Sequence, residues 1–406
     1  IGSNGWTFNE KKAGELYAEL AQKRHVIEED LKELFPPWEV TEDFYPKVNN
    51  KARGYVKGEL FVKSKTVYFN PASRVHIQKC LVDKYKWKPK EFTPNGQAKI
   101  DETILASLPY PEAKRLAEFF LIQKRIGMLA EGAGAWLKKV SPDGRLRHRL
   151  NSNNCVSSRA TATSPNLQQV PSAGSPYGKE CRELFTAPEG WFICGSDLSG
   201  IEIRLMASYL YPYDGGEYAS IVVDGDIHSY NQKATGLATR DLSKRWLYST
   251  LYGGGDRLIG SIAGGGAKLG KKLKDNFDHN VPAFATLKRN LKTAASRGHI
   301  KALDGRKLRV RSEHRCLSQL LQSAGAIVAK QWVMMTYDKI KEKYGDDAYI
   351  MGWIHDEIQV ACKTKEIAED VGYIAGAMAQ EAGVALGLNI PTEAEYSVGR
   401  TWADTH

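Results

Sequence analysis

The stretch Ile350-Met351-Gly352-Trp353-Ile354-His355-Asp356-Glu357-Ile358-Gln359-Val360-Ala361-Cys362 sets two adjacent acids inside what otherwise has the composition of buried strand. Short apolar runs flank the acids on both sides, the pattern of two strands meeting at a tight turn with Asp356 and Glu357 at its tip. A carboxylate in apolar surroundings is costly unless it is solvated, paired or bound to a cation. Taken alone, the stretch fits an acidic hairpin turn as well as it fits a site.

A second acid offers a partner. Trp191-Phe192-Ile193-Cys194-Gly195-Ser196-Asp197-Leu198-Ser199-Gly200-Ile201-Glu202-Ile203-Arg204-Leu205 changes from strand spacing to helical spacing at Asp197. Asp197 therefore ends a buried strand, and Ser199-Gly200 open a helix. As a helix cap Asp197 needs no further role. If it and Asp356 lie on neighbouring strands, they can share divalent cations about 3.5 to 4 Å apart, the arrangement used for phosphoryl transfer.

Between the acids, Arg240-Asp241-Leu242-Ser243-Lys244-Arg245-Trp246-Leu247-Tyr248-Ser249-Thr250-Leu251-Tyr252-Gly253 predicts a helix ending in glycines. Arg240, Lys244, Tyr248 and Tyr252 recur every four residues, a spacing that drifts only about 40° per step and keeps them on one broad face. Two cations followed by two rings suit a triphosphate followed by a sugar and base. A salt-bridged surface helix accounts for the cations but not for the rings. Asp226-Ile227-His228 offers a further donor, Lys268 to Lys274 is strongly basic, and Ile300 to Arg311 predicts a hairpin around Asp304-Gly305. A long helix is expected from about Glu313 to Tyr344, with Gln319 and Gln322 beside the small residues Ser323-Ala324-Gly325-Ala326, which would let a backbone or duplex come close.

The 406 residues allow a large core and two or three domains. A 42% hydrophobic and 26% charged composition is that of a soluble globular chain, not a disordered or fibrous one. Lys and Arg outnumber Asp and Glu by 57 to 47, a net charge of +10 that points to a polyanionic partner. Six scattered cysteines without a CxxC pair indicate neither a zinc site nor a disulfide framework, and favour a reducing, intracellular setting. No membrane-length apolar run or signal peptide is present. The first residue, Ile1, leads to the expectation of a trimmed piece of something longer.

Toward the N-terminus, apolar spacing predicts a helix over 8–35, stopped by Pro36-Pro37, and further helices over Ser73–Tyr85, Asp101–Ser107 and Pro111–Val140. Residues 36–66 are polar and basic, with Lys47, Lys51, Arg53, Lys57, Lys63 and Lys65 among Tyr45, Tyr55 and Phe61. A solvated loop or short ribbon accounts for them, and so does a phosphate-backbone contact. Asn151 to Pro171 is a long polar segment containing Arg159, Asn166, Gln168 and Gln169. Loops of that length in compact domains are usually functional. Amide side chains beside an Arg suit the minor groove, whose acceptors lie in similar places in every base pair, so binding there would not depend on sequence.

Three long motifs in this order, around Asp197 to Arg204, along Arg240/Lys244/Tyr248/Tyr252-Gly253 and at His355-Asp356-Glu357, make the chain resemble the family A (Pol I-like) DNA polymerases. The stretches Leu121 to Gly127, Gly225 to His228, Leu303 to Lys307 and Leu320 to Ala326 are similar to the replicative polymerases of short-tailed phages.

The resemblance implies an α+β, multi-domain right-hand fold with an antiparallel palm sheet. Its thumb would be residues 1–145, mostly helical with the basic loop 36–66. The palm would be 146–209 and 317–406, and the fingers 210–316 with their helix at about 240–253. It implies a DNA-directed DNA polymerase that extends a primer on a DNA template from dNTPs by two-metal-ion nucleotidyl transfer, in phage DNA replication. The cofactor would be two Mg2+ ions, with Mn2+ able to substitute. The catalytic set would be Asp197, Asp356, Glu357 and Lys244, with Asp197, Asp356 and the Leu198 carbonyl as metal ligands and Glu357 close by without being an obligatory one. His228, Arg240 and Lys244 would hold the dNTP phosphates. Glu202 would press on the sugar C2′ position and exclude ribonucleotides. Tyr248 would lie beside the sugar, where Tyr is associated with acceptance of dideoxynucleotides, and Tyr252 would pack at the templating position. Arg159, Gln169, Gln322 and His355 would touch the minor groove or primer end. Partners would be primer-template DNA, dNTPs and a replicative helicase-primase, with no membrane, in the cytoplasm of an infected bacterial host.

Two departures stand out. The acidic motifs of the 3′-5′ exonuclease domain that precedes the thumb in the phage enzymes are absent, so no proofreading is expected from this chain. The thumb insertion that binds a thioredoxin-type processivity factor in one relative would fall at 36–66, where this chain is much shorter, which puts that partner in doubt. An RNA-synthesising or reverse-transcribing member of the same hand-shaped class is the nearest rival, against which Glu202 argues. A non-catalytic primer-template binding module would leave Asp197, Asp356, Arg240 and Lys244 unexplained.

Overall fold

The computed structural model describes residues 1–405. They form two compact units, one of Lys11–Lys138 and one of Ile1–Glu10 together with the chain from Lys139 onward.

The first unit is largely helical. Ala13, Leu16, Leu20, Ile27 and Leu31 share one buried face of the helix Glu10–Leu34, the spacing of an amphipathic helix. Beyond Pro36-Pro37 the basic segment is a two-stranded antiparallel ribbon, Trp38–Phe44 with Phe61–Val67, in register from Trp38↔Val67 to Phe44↔Phe61. None of its residues is buried and most are exposed. Tyr55 packs between Phe44 and Phe61, and the Lys63 ammonium sits 3.2 Å from the Phe44 ring centroid. Ser73 and Asp101 cap the helices Arg74–Tyr85 and Glu102–Ser107, so each starts one residue after its polar cap. The helix expected to reach Val140 runs from Pro111 only to Ile126. A single wide turn, Gly127–Glu131, follows, closed by the Gly132 N–H on the Gly127 carbonyl at 2.9 Å. Glycines at 127, 132 and 134 interrupt the helix although apolar residues continue through it. Within this unit the buried Glu112 accepts from Lys84 Nζ and Tyr85 Oη, each at 2.5 Å.

The second unit is built on a four-stranded antiparallel sheet, ordered Ala348–Ile354, Glu357–Cys362, Phe192–Leu198, Ala394–Gly399. Strand alternation sends Cys194, Leu198, Ile358, Val360 and Cys362 into the main core, where the helices Cys316–Tyr344 and Lys365–Ala385 cover the sheet. Trp332 on the first helix donates to the Ala375 carbonyl on the second at 2.8 Å. The other face meets the chain termini. The strand Trp6–Phe8 pairs between Arg145–Leu146 and Phe185–Thr186, and its Trp6 stacks on Trp402 with ring centroids 5.0 Å apart. A Cβ at position 352 would come within 2.6 Å of the Trp6 ring, which is why the otherwise bulky strand carries Gly352 there. The first ten residues thus belong with the sheet, whereas the 1–145 division placed them with the helical arm.

Between the first sheet strand and the long helix lie the helices Ile201–Asp214, Glu217–Asp224, Ile227–Thr235, Arg240–Leu251, Asp256–Ile262, Ala267–Asn280 and Pro282–Ala295 and the hairpin His299–Lys301/Lys307–Arg309. Trp246, Phe277 and Phe284 pack edge to face at its centre.

Candidate active site

Main-chain geometry brings the two acids together. Asp197 is the penultimate residue of its strand and pairs across to Glu357, and the Leu198 N–H donates to the Asp356 carbonyl at 3.0 Å. His355 and Asp356 form the whole turn between the paired residues Ile354 and Glu357. His355 adopts φ +59° there, in the left-handed region that a branched or bulky residue occupies at a cost. The Trp353 indole N–H clamps the turn by donating to the His355 carbonyl at 2.8 Å.

One cleft is lined by Arg159, Glu202, Ala326, Trp353, His355 and Asp356. Burial, and then the Glu202 carboxylate, pushes the Asp356 carboxyl up to about 6, against the pull of Arg159. Burial, and then Arg159, lowers the His355 imidazole. Glu202 stands in the first turn of its helix, where its Oε1 accepts from Tyr252 Oη at 2.6 Å and lies 3.5 Å from Arg159 Nη2. The Tyr248 hydroxyl is raised by burial and then by Glu202, Asp356 and Asp197.

The helix Arg240–Leu251 buries Ser243, Trp246, Leu247 and Leu251 on one side and turns Arg240, Lys244 and Tyr252 to solvent on the other. Asp226 caps the neighbouring helix Ile227–Thr235 and receives Arg240 Nε at 2.8 Å and Nη2 at 3.1 Å, which holds its carboxyl well below the usual range. Burial lowers the His228 imidazole, and Arg240 and Lys244 lower it further. Its Nδ1 is buried with no partner among the described residues.

Three other residues sit differently. Glu357 is 3% exposed and faces behind the hairpin, where its Oε1 accepts from Trp402 Nε1 and Gln359 Nε2, both at 2.6 Å. Gln169 is exposed at the end of the short turn Leu167–Gln169, and Gln322 donates to Ser318 Oγ at 3.2 Å on the long helix; neither lines the cleft at Asp356. Arg204 is a support that spacing did not reveal. It is buried, donates to the Ser199 and Pro391 carbonyls at 3.1 and 2.8 Å and pairs with Glu393, so it binds the turn after Asp197 to the approach of the last sheet strand. A lone Arg among the apolar residues of Ile201–Leu210 is the signal that could have found it.

The donors at the hairpin are carboxylate and carbonyl oxygens, which suit a hard divalent cation. Among the described residues no three His, Cys, Asp or Glu side chains gather as a complete metal cage. A site of two carboxylates completed by water and substrate phosphate is the pattern of Mg2+. Asp356, crowded by Glu202 and Glu357, gains from a cation there.

Residues 47–404 match the family profile of DNA polymerase family A. The DNA-directed DNA polymerase of Enterobacteria phage T3 is 37% identical over an alignment covering 99% of this chain and 68% of that protein, and the one of Escherichia phage T7 gives the same identity and coverage. The fold is similar to the POL domain of Pol1 from M. smegmatis, solved as a complex with DNA primer-template and dNTP, with a TM-score of 0.78, 18% identity and coverage of 99% of this chain and 68% of that one. Family A DNA polymerases are metal-dependent in general. With the family profile spanning nearly the whole chain and two phage relatives above a third identity, the chain belongs to DNA polymerase family A.

Proposed function

We propose that the chain extends a DNA primer on a DNA template by adding deoxynucleotides, with Asp197, Asp356 and the Leu198 carbonyl holding two Mg2+ ions. The observation that carries this reading is the hairpin itself: Asp356 is tied by its own carbonyl to the residue after Asp197, and its side chain lines one cleft with Arg159, Glu202 and His355. The bound ions supply activation of the primer 3′-hydroxyl and stabilisation of the departing pyrophosphate. The protein's part is positioning. Arg240 exchanges Asp226 for the triphosphate, with Lys244 and His228 beside it. Tyr248 lies along the sugar, and Glu202, steadied by Tyr252 and Arg159, blocks a 2′-hydroxyl. Tyr252 packs at the templating position, and Arg159, Gln169, Gln322 and His355 read the minor groove or primer end without regard to sequence. Glu357 acts by fixing the hairpin against Trp402 rather than as a metal ligand.

The phage relatives support copying of a phage genome in the cytoplasm of an infected bacterium, where a replicative helicase-primase would open the duplex. The segment where a factor-binding insertion would fall is here a short two-stranded ribbon, which argues against dependence on a thioredoxin-type partner. Among the described residues no helix is long and apolar enough to cross a membrane.

Extension of a labelled primer on a DNA template with Mg2+ and either dNTPs or rNTPs tests the reading. Products with dNTPs only are expected; equal use of rNTPs moves the chain to the RNA-synthesising class.

A further inference from the structure

In the Lys11–Lys138 unit, the chain leaving the helix Arg74–Tyr85 and the segment joining the helices Glu102–Ser107 and Pro111–Ile126 line one cleft of about 490 Å3, within the size range of small-ligand sites. Its apolar lining is Ile104, Leu108, Pro109 and Tyr110, each with surface open to solvent. Tyr110 is held in place by the fold itself. Its ring stacks on Tyr85 with centroids 3.9 Å apart and planes 10° from parallel, and Tyr85 Oη donates to the buried Glu112 at 2.5 Å. Lys86, Lys88, Lys90 and Lys99 line the same cleft and are all exposed. Lys86 Nζ donates to the Asp83 carbonyl at 3.2 Å, and Lys99 is paired with Glu91 at 2.9 Å and Asp101 at 3.5 Å. Lys88 and Lys90 have no acidic partner among the described residues. The backbone that carries them is fixed at both ends: the Lys86 N–H closes its helix on the Leu81 and Val82 carbonyls, and the Lys99 N–H donates to the Glu91 carbonyl at 2.9 Å.

We infer that this cleft binds a free nucleoside diphosphate or triphosphate. The two unpaired ammoniums take the phosphates as point charges, and the base packs against the exposed part of the Tyr110 ring with Leu108 and Pro109 beside it. A fixed, partly open ring suits a flat partner, and unpaired cations suit an anion. A nucleotide supplies both in one molecule of the right size. None of the residues around Asp356 lines this cleft, and the inference does not depend on the polymerase reading.

ADP is the probe, titrated calorimetrically into the full chain without divalent cations, with adenosine as the control that lacks phosphate and pyrophosphate as the control that lacks a ring. The titrations are repeated on Arg240→Ala with Lys244→Ala, which silences nucleotide binding beside Asp356. The expected result is a saturable ADP site that survives in this background, with both controls at least about tenfold weaker. Adding Lys88→Gln and Lys90→Gln, exposed changes that leave folding intact, weakens ADP by about tenfold, the worth of two exposed ion pairs. Tyr110→Leu, which keeps an apolar lining without the flat ring, weakens it by about threefold or more. No ADP binding in the silenced background overturns the proposal, and so does binding that ignores the Lys88 and Lys90 changes. Pyrophosphate that matches ADP overturns the assignment to a nucleotide. A short single-stranded oligonucleotide that depends on the same two lysines and binds at least about tenfold tighter than ADP makes the cleft a strand-binding surface and overturns the assignment to free nucleotides.

Discussion

The Leu198 amide donates to the Asp356 carbonyl at 3.0 Å, so the two acids nearest this bond are spaced by backbone rather than by side-chain packing. Strand pairing of Asp197 with Glu357 continues the same ladder. The spacing of Asp197 and Asp356 therefore survives changes to either side chain, and variants at these positions report on chemistry.

Glu357, next to Asp356 in sequence, depends on the chain's end. Trp402→Phe removes the indole donor 2.6 Å from its carboxylate and leaves a buried charge short of a partner. The expected cost is about 1.5 to 3 kcal/mol, read as a lower urea midpoint with an unchanged slope. Glu357→Gln, which keeps the shape, slows synthesis by no more than about tenfold, or about 1.4 kcal/mol in barrier; a loss as deep as that of an Asp356 variant would make Glu357 a ligand.

Burial, and then Glu202, Asp356 and Asp197, raise the Tyr248 hydroxyl. Tyr248→Phe removes its hydroxyl from the sugar side of the nucleotide pocket and is expected to raise discrimination against dideoxynucleotides by about tenfold or more, as losing one polar contact does. Sequencing-ladder band intensities at a fixed ddNTP to dNTP ratio check this, and unchanged termination counts against the placement.

The turn of the ribbon carries Lys47, Lys51, Arg53 and Lys57, all exposed, between strands that are themselves exposed on most residues. Replacing these four with Gln is expected to lower the slope of log affinity against log salt for primer-template by about one for each lost phosphate contact. Fluorescence anisotropy over a salt series measures it; an identical slope means the ribbon tip is simply solvated.

His148 is 4% exposed, its Nδ1 has no partner among the described residues, and burial, with the Ile1 ammonium adding to it, pushes its imidazole down to about 4. The folded state keeps it neutral while the unfolded chain protonates near the ordinary value, so stability drains away as pH falls from about 6.5 toward 4 and is fully present above that window. The upper bound is about 3 kcal/mol. Urea midpoints at about pH 7 and about pH 5 should differ less in His148→Leu than in the parent.

What the sequence disclosed, and what it hid, follows from range. Strand-to-helix change at Asp197, the apolar pairs around His355-Asp356 and the four-residue spacing of Arg240, Lys244 and Tyr248 are local patterns, each set by one element's period. Glu357 looked like a second cleft acid because nothing nearby shows that Trp402 lies behind it. Trp6 escaped notice for the same reason: a three-residue strand has no period of its own, and its partners are at 145–146 and 185–186. The helix from Pro111 was extended to Val140 by apolar residues that continue past Gly127 and Gly132, where the backbone had already turned. The fold class and family came through because three motifs in chain order constrain more than any single spacing does.

The central claim is that Asp197 and Asp356 hold the ions for nucleotide addition, and its most direct test is single-turnover addition of one dNTP by the parent and Asp356→Asn side by side, with primer-template affinity measured on both. The account predicts that the variant loses at least about 10³-fold in rate, the several kcal/mol of charge stabilisation a bound ion supplies, while duplex affinity stays within about twofold because binding rests on the basic surface. Addition at the parental rate by Asp356→Asn would contradict the assignment of Asp356 and the two-ion reading built on it.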